Sequence, residues 1–355
     1  MGTALQIAVV GVGRIGVFHA QHVQELGRET GTCQLVAVVD THGDTAERVA
    51  RQLQAGQERE IRPFTRVADL AESELADSAV IASRTADHEY DAKTLIDAGQ
   101  RVLIEKPLTD SLESAQAFAD YLDSDTRRRT ALMLAFMRRF DEPLMRAREM
   151  LQQQRLGRIF KVTSILEDPL PPPDGYQSPG LLTDMAVHNV DEIMWLTGEV
   201  PTSVTGTGAR LYNQKISSVR EDFDDAFLQM WMREDLVGQV QVSRNHVAGY
   251  RNETWVFGEE GTLHVGHFQE NPLKVSLEAF DRRGLIERRD FEMRDYGREV
   301  PVFIERFGPA YKRELAHFAT QCQSGAPFAV DHSHGLAAMR VVADGAAALQ
   351  TAGEV

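Results

Sequence analysis

Residues 7–16 read IAVVGVGRIG, and they restrict the fold of this chain more than any other stretch. An apolar run typical of a buried strand leads directly into Gly11, Gly13 and Gly16, and a helix-forming run follows. In this pattern the first glycine permits a tight turn, the second lets the backbone approach a pyrophosphate, and the third lets the helix pack on the strand. The free N–H groups at the helix start would face the anion. The pattern therefore predicts a dinucleotide-binding βαβ unit.

A second apolar run, residues 34–39, ends at Asp40. An acid at this distance beyond the glycines holds the adenosine ribose in such units. Its charge would repel the 2′-phosphate of NADP, and Thr41 and His42 supply no arginine to offset that repulsion. We therefore predict NAD as the cofactor.

The composition is typical of a globular protein with a sizeable core, with 43% hydrophobic and 26% charged residues among 355. A net charge of −15 would repel nucleic acid and anionic membranes, so we expect neither as a partner. Because the first residues lead directly into a strand and no apolar run approaches membrane-spanning length, we expect neither a signal peptide nor a transmembrane helix. The two cysteines, Cys33 and Cys322, lack metal-ligand spacing. These features favour a cytoplasmic protein.

Strand and helix patterns alternate up to about residue 128, which is typical of a doubly wound parallel sheet. Beyond residue 138 several segments with strand alternation follow, and these predict a large open, mainly antiparallel sheet with helices on one face. We therefore expect an α/β Rossmann domain over residues 1–129 and an α+β domain for substrate binding and oligomerisation over residues 130–355. Whether the C-terminal helices pack back on the first domain is left open.

Lys106 follows a predicted strand at the carboxyl edge of the parallel sheet, where ligands bind in such folds. Pro107 fixes the backbone after it and favours an extended conformation at Lys106. A lysine held in this way beside a nicotinamide could orient a substrate hydroxyl or shuttle its proton. The alternative is an ordinary surface lysine.

Asp184 and His188 lie four residues apart in a segment whose apolar residues indicate a helix over about 182–196. On an α-helix they would share one face. A histidine tuned by a carboxylate is a suitable general base, and a hydride-accepting enzyme needs one because oxidation of an alcohol releases a proton as well as a hydride. The spacing alone is equally consistent with a surface pair.

The remaining histidines predict no metal site. The pairs at 264 and 267 and at 332 and 334 come without a third ligand at zinc spacing. Capping or solvent contact would account for His19 and His22 in the first helix. Trp231 and Trp255 lie in strand patterns, so we expect them in the core.

These motifs resemble a known family, the NAD(P)-dependent oxidoreductases that include glucose–fructose oxidoreductase, inositol dehydrogenase and the rhizopine-catabolism proteins (GFO/IDH/MocA). The similarity extends over essentially the whole chain. Its most specific elements are the glycine loop, residues 105–107 (EKP) and residues 184–188 (DMAVH). Within the group the sequence is most similar to the inositol 2-dehydrogenases, through residues 136–141 (FMRRFD) and 257–261 (FGEEG) and through Asp168-Pro169 and Gly249-Tyr250.

The resemblance implies a Rossmann domain followed by a domain with a large open sheet, and a lysine, an aspartate and a histidine at the substrate. Carried over by motif, the catalytic residues are Lys106, Asp184 and His188, and the substrate-pocket residues are Arg138, Asp168 and Tyr250. The residues expected at NAD are Gly11, Gly13, Arg14, Ile15, Gly16, Asp40, Ser83, Glu105 and Lys106. The sequence departs from the family at Arg84, Asn189 and Ala248, where a proline, an acid and a tyrosine are common. These departures leave the exact polyol open.

The leading interpretation is an NAD-dependent dehydrogenase that oxidises one secondary ring hydroxyl of a cyclitol or pyranose sugar to a ketone. His188 would be the general base, with Lys106 and Asp184 assisting. An aldose dehydrogenase of the same family is an alternative, because the same three residues serve both reactions. An NAD-dependent glycosidase and a non-catalytic NAD-binding regulator are less favoured.

Residues 227–232 place large apolar side chains on both sides of a strand, more than a solvated face tolerates. The second face of the sheet therefore needs a partner, and the resemblance points to the same contact between sheets. We expect a homotetramer.

Overall fold

The computed structural model describes residues 4–55, 59–169, 180–211, 222–266 and 273–352. The chain divides into two compact units. The first comprises Met1–Met137 and Tyr311–Leu336, and the second comprises Arg138–Ala310 and Ala337–Val355.

The first unit is built on a six-stranded parallel sheet. Its strands are β1 (Leu5–Val10), β2 (Cys33–Val39), β3 (Arg62–Phe64), β4 (Ser78–Ile81), β5 (Arg101–Glu105) and β6 (Leu132–Ala135). Its helices are α1 (Gly16–Thr30), α2 (Gly43–Gln54), α3 (Val67–Glu72), α4 (His88–Asp97), α5 (Leu112–Asp123) and α6 (Thr126–Arg129). The strand order is β3-β2-β1-β4-β5-β6, so the direction of winding reverses between β1 and β4. Sheets of this kind bind ligands at the carboxyl ends of the strands beside that reversal.

The central strands are apolar because both faces of the sheet are covered. Ile7, Ala8 and Val9 in β1 are fully buried, as are Val36 and Val38 in β2. Parallel strands buried on both faces require such continuous apolar runs. The predicted doubly wound sheet is confirmed, and its last strand, β6, lies wholly beyond residue 129, where we expected the first domain to end.

The second unit contains an eight-stranded sheet and the helices that cover it. It begins with α7 (Glu142–Gln152), β7 (Ile159–Glu167), a π-helical turn (Leu182–Ala186) and α8 (Val187–Thr197). The remaining strands are β8 (Ser203–Ala209), β9 (Asp225–Arg233), β10 (Leu236–Ser243), β11 (Arg251–Gly258), β12 (Thr262–Gly266), β13 (Lys274–Asp281) and β14 (Gly284–Glu292). The order is β14-β13-β12-β11-β7-β10-β9-β8, and β7 with β10 is the parallel pair in an otherwise antiparallel sheet. The predicted mainly antiparallel sheet is confirmed.

The two faces of this sheet differ in burial. Leu228 and Met230 in β9 are fully buried on one face of the sheet, where Met230 and Ile193 of α8 both lie beside Gly238. Phe227 and Trp231 alternate with them and remain 37% and 40% exposed within the chain. The placement of Trp231 in the core was therefore wrong, because its strand position points it away from the helix-covered face. Trp255 is half-buried and stacks on His264 instead of joining the core.

Two long helices end the chain, α9 (Val302–Ser324) and α10 (His332–Ala352). The part of α9 that belongs to the first unit contributes the buried Leu315 and Phe318. At the start of β5 the Arg101 guanidinium donates to the carbonyl of Ala326 at 2.8 Å and lies 3.8 Å from the centre of the Phe328 ring. In the described part of the chain, no helix combines the length and the hydropathy that crossing a membrane requires.

Candidate active site

The loop between β1 and α1 has the geometry that its glycines require. Gly11 has φ +79°, a left-handed conformation that favours glycine, and a Cβ there would lie 2.5 Å from the Cα of Ser83. A Cβ on Gly16 would lie 1.8 Å from the carbonyl oxygen of Gly11. At Gly13, by contrast, a Cβ would meet no atom within 4 Å. The close packing of the backbone therefore requires glycine at positions 11 and 16. The space beside Gly13 is open.

Asp40 follows β2 and lies beside this loop. Its Oδ2 accepts the N–H of Val12 at 3.3 Å, and its Oδ1 accepts the N–H of His42 at 2.9 Å. The carboxylate is therefore held next to the glycine turn. Of the other expected cofactor residues, Arg14 is exposed and Ile15 is half-buried at the start of α1. An open glycine turn at a helix start, with an acid fixed at the end of the second strand, fits a dinucleotide.

Ser83 follows β4, close to the point where the winding reverses. Its hydroxyl donates to Asp91 Oδ2 at 2.7 Å, and Asp91 belongs to α4. Burial raises the pKa of Asp91 to about 6, the hydrogen bond from Ser83 opposes that rise, and the charge of Asp87 adds to it. Asp91 on α4 thus holds the Ser83 hydroxyl in place.

Lys106 follows β5, as expected, and is half-buried. Its backbone N–H donates to Glu105 Oε2 at 3.3 Å, and the peptide bond to Pro107 is cis. Glu105 is 8% exposed, so its carboxylate needs a partner. That partner is His19, whose Nε2 lies 2.8 Å from Glu105 Oε1.

His19 is a site residue that the sequence analysis missed. Solvent contact or capping was expected for His19 and His22, but each is only 1% exposed, so that expectation was wrong. A usable signal existed, because His19 shares its helical face with Gly16 and Val23, both of which pack inward.

His88, at the start of α4, is the second histidine that was missed, and it is also 1% exposed. Its Nδ1 lies 3.0 Å from the carbonyl oxygen of Pro107 and its Nε2 lies 3.2 Å from that of Ser83. Burial lowers the pKa of His88, and the two carbonyl groups and the charge of Glu105 oppose that shift. The neutral ring has one N–H and donates to one of these carbonyl groups, and it lies between the loop after β4 and the turn that carries Lys106.

In the second unit, Asp184 lies in the π-helical turn and His188 lies in the first turn of α8. The expected helical segment is present. The prediction that both residues lie on one regular α-helix was wrong, because the turn that carries Asp184 is π-helical. π-helical turns are rare and occur frequently at functional sites. Asp184 Oδ2 lies 3.3 Å from Arg244 Nη2, and His188 is 8% exposed.

The turn of α8 after His188 carries two fully buried carboxylates, Asp191 and Glu192. Asp191 accepts two hydrogen bonds from Arg139, at 2.6 and 3.0 Å. Glu192 accepts from Arg138 at 2.7 Å and from Ser164 at 3.0 Å. Buried carboxylates require such partners, and these bonds fix α8 to β7 and to the segment before α7. The sequence signal was two adjacent acids directly before the apolar residues 193–196 of the helix.

The three expected substrate-pocket residues, Arg138, Asp168 and Tyr250, all lie in the second unit. Burial raises the pKa of Tyr250, the charge of Asp168 raises it further, and the charges of Arg138 and Arg306 lower it. The structure thus brings these side chains within electrostatic reach of one another. Asp168 is half-buried, whereas Arg138 and Tyr250 are 2% and 8% exposed.

Lys106 belongs to the first unit, and Asp184 and His188 belong to the second.

Among the residues with described positions, no three His, Cys, Asp or Glu side chains are grouped as metal ligands would be. Both cysteines are free thiols.

Comparison with known protein families identifies a family for both parts of the chain. Residues 5–131 match the oxidoreductase family with an NAD-binding Rossmann fold, and residues 144–264 match the GFO/IDH/MocA C-terminal domain. The predictions of an NAD-binding Rossmann domain and of an NAD-dependent oxidoreductase are therefore confirmed.

Individual relatives agree with this match. An inositol 2-dehydrogenase from Rhizobium meliloti is 30% identical over 337 residues, which cover 94% of this chain and 94% of the relative. A scyllo-inositol 2-dehydrogenase (NAD(+)) from Bacillus subtilis is 28% identical, over 90% of this chain and 87% of the relative. A scyllo-inositol dehydrogenase from Lactobacillus casei, solved with NAD(H) and scyllo-inositol, shares the fold with a TM-score of 0.80 at 21% identity, over 98% of each chain. The chain belongs to the GFO/IDH/MocA family of oxidoreductases.

Proposed function

We propose that this enzyme oxidises a secondary ring hydroxyl of an inositol-type cyclitol to a ketone, with NAD as the hydride acceptor. The observation that carries the proposal is the 30% identity, over 94% of the chain, to a relative named as an inositol 2-dehydrogenase. The relative named as a scyllo-inositol 2-dehydrogenase (NAD(+)) supports both the substrate class and the cofactor.

In this reaction the carbon that bears the hydroxyl loses a hydride and the hydroxyl loses a proton. NAD supplies the acceptor for the hydride when it is bound. We assign the proton to His188, because an imidazole is an effective base near neutral pH. Asp184 would stabilise the imidazolium that forms, and Lys106 would orient the hydroxyl by donating a hydrogen bond to its oxygen. These roles rest on the family resemblance and on the three residues themselves.

For the substrate ring we propose contacts in the second unit. Asp168 is half-buried, so its carboxylate can accept hydrogen bonds from substrate hydroxyls. Arg138 and Tyr250 are buried, and Arg138 is bound to Glu192, so their proposed part is to fix the shape of the pocket.

We further propose that the protein acts in the cytoplasm as a homotetramer. The support for assembly is the outward side of β9, where, in the described part of the chain, the apolar Phe227 and Trp231 are 37% and 40% exposed. Free thiols at Cys33 and Cys322 are in keeping with a reducing compartment.

A panel of inositols and monosaccharides, assayed with NAD by the absorbance of NADH, tests the proposed substrate class. We expect an inositol to give the highest kcat/KM. A higher value with an aldose would favour the sugar dehydrogenase alternative. Turnover without net NADH would favour a glycosidase, and NAD binding without any turnover would favour a regulator.

Variants test the proposed roles. Lys106→Ala and His188→Ala should each lower kcat about a hundredfold or more, the scale of lost acid–base assistance. The matched controls are Lys312→Ala and His334→Gln, which change half-buried residues paired with Glu29 and Asp331. Both controls should retain full activity. Near-normal kcat in folded Lys106→Ala or His188→Ala would contradict the assignment.

A further inference from the structure

Two buried histidines hold the residues on either side of Lys106. His19 Nε2 lies 2.8 Å from Oε1 of Glu105, the residue before the lysine. His88 Nδ1 lies 3.0 Å from the carbonyl oxygen of Pro107, the residue after it. Both imidazoles are 1% exposed, so water does not compete for these contacts.

On the His19 side, Glu105 connects the histidine to the lysine backbone. One carboxylate oxygen contacts the imidazole, and the other accepts the Lys106 N–H at 3.3 Å. Without His19, the 8% exposed carboxylate of Glu105 would lose its buried partner and would turn toward water. That movement would loosen the backbone bond at Lys106.

On the His88 side, the imidazole lies between two carbonyl oxygens, because its Nε2 is also 3.2 Å from the Ser83 oxygen. Ser83 packs against Gly11 of the nucleotide loop, where a Cβ would lie 2.5 Å from its Cα. A neutral imidazole has one N–H, so His88 donates to one of the two carbonyl groups, and the shorter contact favours Pro107 as the acceptor. The ring lies between the Lys106 turn and the loop that we expect at NAD.

We propose that His19 and His88 are positioning residues for the reaction and that they act through Lys106. This inference rests on the proposed role of Lys106. Neither imidazole has to touch the substrate, because each fixes a neighbour of the lysine and together they limit how far its ammonium group can move. A displacement of about 1 Å in a reacting group can cost about a hundredfold in rate.

Leucine variants remove the polar contact at similar volume. We expect His19→Leu and His88→Leu each to lower kcat by about 10- to 100-fold. His19→Gln keeps an N–H donor for Glu105 and should recover most of kcat. If His19→Leu does not fold, it is replaced by His19→Asn, whose amide is too short to reach Glu105. If His88→Leu does not fold, it is replaced by His88→Met, which has no N–H donor.

The same changes made in Lys106→Ala provide the decisive comparison. If the histidines act through the lysine, they lower kcat less than about twofold further in that background. The same fold-loss in both backgrounds would overturn the inference and leave the proposed function intact, as would near-normal kcat in both histidine variants. Near-normal kcat in Lys106→Ala itself would overturn the proposed role of the lysine, and the inference with it. The control His334→Gln, which loses a 2.9 Å contact with Asp331, should leave kcat unchanged.

Discussion

Asp91→Asn should stabilise the protein, and the gain should depend on pH. Asp91 is 7% exposed, and burial raises its pKa to about 6. An acid whose pKa is higher in the folded state stabilises that state when protonated. This stabilisation is complete below the pKa of the unfolded chain and is lost as the pH rises through about 6. Above that pH the folded protein carries a buried, ionised carboxylate.

The size of the expected stabilisation follows from the pKa shift of Asp91. An increase of about two pKa units corresponds to about 3 kcal/mol of unfavourable free energy for the ionised form at about pH 8, and the cost falls to roughly half at about pH 5. Asparagine is neutral throughout, and its carbonyl oxygen can still accept the Ser83 hydroxyl, which now lies 2.7 Å from Asp91 Oδ2. We therefore expect Asp91→Asn to raise the free energy of unfolding by about 1–3 kcal/mol near pH 8 and by less near pH 5.

Urea unfolding followed by circular dichroism at both pH values measures the effect. Asp120→Asn is the matched control, because it makes the same chemical change at an exposed position on α5. The control should change the free energy of unfolding by less than about 0.5 kcal/mol. If Asp91→Asn gave no gain at the higher pH, or an equal gain at both, the inferred cost of burying the ionised carboxylate would be refuted.

Three further predictions concern the cofactor and assembly. The kcat/KM should be higher with NAD than with NADP, because the Asp40 carboxylate would repel a 2′-phosphate; an equal or higher value with NADP would contradict this. Gly16→Ala should lower the free energy of unfolding by more than about 2 kcal/mol, because its Cβ would overlap the Gly11 carbonyl. Gly13→Ala should weaken NADH binding but keep the free energy of unfolding within about 1 kcal/mol of the wild-type value. Titration calorimetry measures NADH binding and urea unfolding measures stability, and the prediction fails if Gly13→Ala binds NADH normally. Light scattering should give the mass of four chains, and Trp231→Arg should lower it; a wild-type mass of one chain would exclude assembly.

The parts of the fold that follow from local periodicity were predictable from the sequence. The glycine loop, the buried strands before it and after it, and the alternating strands of the second unit each carry a pattern that depends on neighbouring residues alone. Strand β14, Gly284–Glu292, was not predicted, because it carries polar and charged side chains without clear alternation and pairs at the edge of the sheet. Its pairing with β13 decides its conformation, and a sequence window does not contain that information.

The site was predictable where a motif named it and not where tertiary contacts built it. Lys106 and Asp40 follow from their positions at the ends of strands. His19 lies 86 residues before Glu105, and Glu192 lies 54 residues after Arg138, so no local pattern relates these partners. The π-helical turn at Asp184 was missed for a similar reason, because its sequence reads as an ordinary helix.

The most direct test of the central claim follows the hydrogen itself. The enzyme is incubated with NAD and an inositol that carries deuterium on the carbon to be oxidised, and the reduced nicotinamide is analysed by mass spectrometry. The account predicts one deuterium per NADH formed, together with an equal amount of the ketone. Reduced cofactor without deuterium, or deuterium that appears in water while NAD is unchanged, would contradict hydride transfer from the ring carbon.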